Sequence, residues 1–248
     1  MDLSGKTVVI TGAGRGLGAA FALSLAPLGC NLILCGRREA DLAAVARSVL
    51  SHGGKSAQTV ALDLADAASV TEAVARIATF QAPVDILINN GAMWLEASQA
   101  PYAEAEVMAV VNAAITGTFL LVQGLRPLMQ LSDAPDILTI GSISGLPNAA
   151  LQTVSVPFYA AKRGQVALAE GLRQEFRGGK FRSILVNPPY LDEAMPGGQS
   201  WAANGTRAKN MRATSRDVVE ASIFALTRPH HISLTIELGA DEGGLFPS

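Results

Sequence analysis

A chain of 248 residues, 49% apolar and 16% charged, has material for one large core and too few charges for a disordered or nucleic-acid-coating protein. Its formal net charge of −2 argues against general affinity for phosphate backbones or anionic membranes, so the expected partner is a small molecule, with no nucleic acid and no membrane. The only two cysteines, Cys30 and Cys35, fall around one strand pattern and suit a reducing compartment rather than a disulfide framework, and His52, His230 and His231 have no metal-ligand spacing.

In chain order, a strand pattern begins within six residues of Met1, leaving no room for a signal peptide, and no uninterrupted apolar run is expected to reach the ~18 to 20 residues of a membrane span. A cytoplasmic protein is expected. Short apolar, β-branched runs follow at 7–11, 31–35, 56–62, 84–89, 136–141, 181–187 and 232–238, separated by helix-length segments. Such an alternation predicts βαβ units, hence a single doubly wound, Rossmann-like α/β domain over 1–248 with a seven-stranded, mainly parallel sheet. The segment 39–54 opens with acids and closes on a glycine pair, as a helix does. The segment 104–129 is long and apolar on several faces, which suits a helix at a subunit contact and a homo-oligomer, dimer or tetramer, although a deeply buried monomer helix has the same pattern. Residues 188–214, rich in Pro, Gly, Asn and Ala, leave the end of a strand and read as a substrate lid.

The first strand runs straight into GAGRGLG, placing Gly12, Gly14, Gly16 and Gly18, with Arg15 and Leu17, at the start of an apolar helix. Glycines there allow a tight turn and let backbone N–H groups approach a pyrophosphate at the positive end of the helix. At the end of the second strand, where an acid would hydrogen-bond the ribose of NAD, the chain has CGRR. Arg37 and Arg38, with Arg15, suit a 2′-phosphate instead, so NADP(H) is expected over NAD(H).

The spacing Thr11-Gly12-x-x-x-Gly16-x-Gly18 resembles that of the classical short-chain dehydrogenase/reductase family, and further segments match in the family's order over nearly the whole chain. The resemblance implies that Asp63 and Leu64 contact the adenine side of the cofactor. It also implies that Asn90 and Gly91, within NNGA, border it and that Pro188 lies beside the nicotinamide. Ser142, in IGSISG, would be the catalytic serine, and Asn112 would distort its helix and order a water in a proton relay through Lys162. Pro189 stands where the family usually has glycine, removing a backbone donor.

The stretch VPFYAAKRGQ departs from the family, which places tyrosine four residues before lysine; here Tyr159 precedes Lys162 by three. In one alternative Tyr159 and Lys162 form the pair, helped by about four extra residues between Ser142 and Tyr159. In a second, Tyr159 pairs with Arg163. In a third, Phe158 occupies the tyrosine's place and proton transfer is lost or crippled. A phenol with a pKa of about 10 needs a nearby cation to work near neutrality, and Lys162 would supply it while also binding the cofactor ribose. The implied activity is hydride transfer between NADP(H) and a carbonyl or alcohol through Ser142, Tyr159, Lys162 and Asn112. Met93, Trp94, Tyr190, Met195 and Trp201 suit an apolar or aromatic pocket lining. A dinucleotide-binding sensor or structural subunit with little turnover is the alternative.

Overall fold

The computed structural model describes residues 2–147 and 154–242. The elements in chain order are β1 (Thr7–Thr11), α1 (Gly16–Leu25), β2 (Asn31–Gly36), α2 (Glu39–Ser51), β3 (Ser56–Ala61), α3 (Ala67–Ala78) and β4 (Ile86–Asn89). There follow α4 (Glu104–Val111), α5 (Gly117–Met129), β5 (Asp136–Ile140), α6 (Val156–Glu175), β6 (Arg182–Asn187), β7 (Leu191–Asp192), α7 (Gln199–Ala202), β8 (Ala213–Thr214), α8 (Ser215–Leu226) and β9 (Thr235–Glu237). Seven strands form one sheet in the order β3-β2-β1-β4-β5-β6-β9, every ladder parallel. This is the doubly wound Rossmann-like domain expected from the alternating runs.

Strand periodicity divides the core. Along β1, Val8 and Ile10 pack to one side with Phe21, Leu25, Leu42, Val218 and Leu226 from α1, α2 and α8. Val9 points to the other side, among Val70, Ile77, Leu121, Leu125 and Leu172 from α3, α5 and α6. Central strands buried on both faces explain the near-continuous apolar runs. Arg182 is the exception: it opens β6 fully buried, with Nε and Nη2 bonded to the Asp136 carboxylate of β5 at 2.7 and 2.6 Å. Its other donors reach the carbonyls of Leu226, Arg228, Pro229 and Ile232. The arginine thereby ties the sheet to the connection entering β9, and removing one partner of such a pair typically costs about 3–5 kcal/mol.

The run from Glu104 to Met129 is a continuous 26-residue helical segment that is long and apolar enough, by length and composition alone, to cross a membrane, contrary to the expectation that no such stretch exists. In the fold it packs on α3 and α6. Its middle widens into a π-helical turn over Asn112–Thr116, so the chain distorts where asparagine was expected to distort it.

The strand order reverses between β1 and β4, which opens a crevice at their carboxyl ends, where open α/β sheets bind ligands. The segment 188–214 runs beside it and carries more order than its composition suggested. β7 pairs with β8, the Asp192 carboxylate pairs with Arg207, and the Trp201 ring packs under Arg216 at 5.9 Å.

Candidate active site

The ends of β1, β2 and β4 enclose a cavity of about 650 Å³. Of the residues expected to meet a cofactor, Gly12, Gly14, Arg15, Gly16, Leu17, Arg37, Arg38, Asp63, Leu64, Asn90 and Gly91 line it, whereas Gly18, Lys162 and Pro188 do not. Gly18 acts behind the wall: a Cβ there would lie 2.2 Å from the Gly12 carbonyl oxygen, so only glycine lets the turn close under the helix. Thr11 ties the β4 loop to this turn. Its hydroxyl accepts the Asn90 and Gly91 backbone N–H groups at 3.0 and 2.8 Å and donates to the Ile88 carbonyl, while Asn90 Nδ2 donates to the Thr11 carbonyl.

The cavity's charges are more balanced than the sequence suggested. Asp41, from the first turn of α2, also lines it and pairs with Arg38 Nε at 2.5 Å. Arg38 is therefore engaged, leaving Arg15 and Arg37 to meet an anion. Asp63 steadies its own turn by accepting the Ala65 N–H at 2.9 Å, and its backbone N–H donates to Ser69. Glu193, from the segment after β7, reaches the cavity beside Gly16. Neither Asp41 nor Glu193 was expected. Asp41 was legible in retrospect as the acid one turn beyond CGRR, but Glu193 depends on the course of a long irregular segment.

At the other end of the crevice, Ser142 donates its backbone N–H to Asn187 Oδ1 at 3.2 Å, and its Oγ accepts the Ser144 N–H at 3.1 Å. The serine thus caps a short turn, and its hydroxyl donates to no acceptor among the described residues. Pro188 is buried, its carbonyl accepting the Ile143 N–H at 3.0 Å. Lys162 is 6% exposed, and its Nζ donates to Gln165 Oε1 at 2.8 Å and to the carbonyls of Gly141 and Ile140 at 3.3 and 3.4 Å. Burial pulls its ammonium down to about 8.

The phase of α6 decides which aromatic flanks this lysine. Ser155 caps the helix by accepting the Phe158 N–H at 3.2 Å, and Pro157 lies in the first turn, so the helix begins at Val156. Phe158 then stands a full i,i+4 step before Lys162, its ring 5.9 Å from Nζ, and is only 6% exposed. Trp94 covers it at 4.8 Å between ring centroids, and Tyr190 meets Trp94 edge-on at 6.2 Å. Tyr159 is half-buried in the same cluster, with Val110, Ala114 and Ile115. The side chain at i+4 from Tyr159, Arg163, donates instead to the Gly145 carbonyl at 3.2 Å.

The extra length expected between Ser142 and Tyr159 falls largely on 148–153, outside the described residues. Immediately before the helix the chain is pinned rather than slack: Val154 bridges Glu96, and the Ser155 N–H donates to the Leu95 carbonyl at 3.2 Å. Of the expected pocket aromatics and methionines, Met93, Trp94 and Tyr190 gather here, while Met195 and Trp201 pack against the main core.

A glycine loop at a sheet's switch point, a cavity lined by arginines and a buried lysine beside a strand-end serine together suit a dinucleotide and a small reactant. A family model described as short chain dehydrogenase matches residues 6–201. An uncharacterized oxidoreductase of Staphylococcus saprophyticus is 27% identical over 234 residues, covering 94% of this chain and 96% of its own. A ketoacyl reductase of Nostoc sp. is 29% identical over 191 residues, 77% of this chain and 65% of its own. Among solved structures, a 3-oxoacyl (acyl-carrier-protein) reductase from Agrobacterium tumefaciens with NADP bound is 26% identical, with a TM-score of 0.77 over 95% of this chain and 94% of that one. The L-sorbose reductase from Gluconobacter frateurii, complexed with NADPH and L-sorbose, is 22% identical and shares the fold at a TM-score of 0.83 over 99% and 98% of the two chains. By the match of its family model over most of its length, and by a glycine loop and sheet to go with it, this chain belongs to the short chain dehydrogenase family.

Proposed function

We propose that the protein binds NADP(H) and exchanges a hydride with a carbonyl or alcohol substrate, at a rate held down by slow proton transfer. The observation that carries this reading is the Phe158 ring beside Lys162. A phenyl group has no acidic proton to exchange, and the phenol next along the helix, Tyr159, stands ~100° further round it and ~1.5 Å along it.

NADP(H) supplies the hydride from its nicotinamide. The side chains supply the rest: Arg15 and Arg37 hold the 2′-phosphate, the glycine-loop amides face the pyrophosphate, and Asp63 and Leu64 border the adenine. Ser142 donates its free hydroxyl proton to the substrate oxygen, Lys162 orients the ribose, and Tyr159 exchanges the proton from its displaced position with Asn112 in the relay. The NADP named with the Agrobacterium reductase supports this choice of cofactor. Segment 188–214 serves as the substrate lid. Met108 and Phe119, at 54% and 39% exposure on α4 and α5, suit a homo-oligomeric contact, which sedimentation at rising concentration tests.

A second reading, a dinucleotide sensor without turnover, draws on the same phenylalanine. Titration of NADPH against tryptophan fluorescence, followed by absorbance of the reduced cofactor with a panel of ketones and aldehydes, separates the two. Slow consumption that Tyr159→Phe removes supports the oxidoreductase; binding with no consumption across the panel supports the sensor.

A further inference from the structure

One carboxylate in the cofactor cavity opposes the ligand proposed for it. Glu193 follows β7, whose Asp192 is paired by backbone with Thr214 of β8 and by side chain with Arg207. On its other side Ala194 is buried, and its N–H donates to Ser215 Oγ at 3.4 Å. With its backbone held between these two anchors, Glu193 extends an exposed side chain along the cavity, its Oε1 standing 3.2 Å from the place a Cβ on Gly16 would take. Gly16 opens α1, a ten-residue helix with no acid in its first turn and no side-chain hydrogen bond from Arg15 at its N-cap. Among the described residues the carboxylate nearest Gly16 is that of Glu193, while Asp41 stands beside Gly14, so Glu193 is the anion placed at the positive end of this helix.

A pyrophosphate docked on the glycine loop needs the same amide end of α1 and carries negative charge of its own. The arginines relieve only part of the conflict, because Arg38 is held by Asp41. Resting on the assignment of this cavity to NADP(H), we propose that Glu193 sets cofactor affinity: its carboxylate stands in for the pyrophosphate at the start of α1 and is driven off when the dinucleotide binds. Loading the cofactor then moves Glu193 off the start of α1, which couples nucleotide binding to the segment after β7.

Glu193→Gln keeps the shape and removes the charge. NADPH, NADH and 2′-AMP are titrated into wild type and variant by tryptophan fluorescence, at low salt and at about 0.5 M salt. The expected result is that both dinucleotides bind the variant about 5- to 10-fold tighter at low salt, with the gap closing at high salt, while 2′-AMP, which lacks a pyrophosphate, binds both proteins equally. Equal or weaker dinucleotide binding by the variant overturns the proposal, as does an equal gain for 2′-AMP, which marks a general charge effect. If neither protein binds either dinucleotide, the cofactor assignment falls and this inference with it; if wild type binds and the variant is no tighter, only this inference falls.

Discussion

The two ends of one crevice follow different rules. At the glycine-loop end, residues from β1, β2 and β4 line one cavity, and the Thr11 hydroxyl ties two loops together. At the α6 end the serine and lysine are present, but the ring on the lysine's flank carries no hydroxyl. Nucleotide recognition depends on backbone shape spread over three strand ends and tolerates side-chain change. Proton transfer depends on one oxygen, and a helix phase set by Ser155 and Pro157 is enough to move it.

The comparison breaks most sharply at Phe158. Phe158→Tyr restores a phenol on the Lys162 flank and is expected to raise kcat about 100-fold, the lower end of what general acid–base catalysis contributes, while the Kd for NADPH stays within twofold. Unchanged turnover in a variant that still binds NADPH counts against proton transfer as the slow step. At the other end, Arg37→Ala would remove the charge-assisted bond proposed to the 2′-phosphate and is expected to weaken NADPH binding about 10- to 100-fold with NADH unaffected, which parallel titrations measure.

The buried lysine gives a smaller, pH-dependent effect. Its folded value of about 8 lies below the ordinary lysine value of 10.5, so between those limits the unfolded chain binds more protons and stability due to this group rises with pH. Relative to Lys162→Met, the wild-type Tm is therefore expected to gain roughly 4–7 °C from pH 7.5 to 9.5, about 2 kcal/mol for a chain of this size. A difference that stays flat over that interval removes the case for a destabilised ammonium. The smallest effect is expected at Arg38, which is exposed and paired with Asp41: Arg38→Ala should change NADPH affinity less than threefold.

The sheet was legible because parallel strands covered on both faces write themselves as apolar runs, and the glycine loop because Gly18 has no steric substitute. The helix start was legible in part. Ser155 followed by Pro157 is a cap signal that fixes where α6 begins, and with it which aromatic stands four residues before Lys162. Glu193 and the Asp41–Arg38 pair could not be read ahead, since each depends on where a surface segment lands rather than on a local period. Arg182 ran against expectation too: an apolar strand pattern does not announce that its first residue is a cation satisfied by one carboxylate and four carbonyls.

The all-parallel ladder also bears on how the chain reaches this state. No central strand can form a hairpin with the next, so each pairing waits for a crossover segment to close behind it. β1 lies between β2 and β4, and its second partner emerges some seventy residues after it. Until then its apolar edge is unsatisfied, which makes refolding slow and sensitive to protein concentration, with the N-terminal third the part most in need of shelter during synthesis.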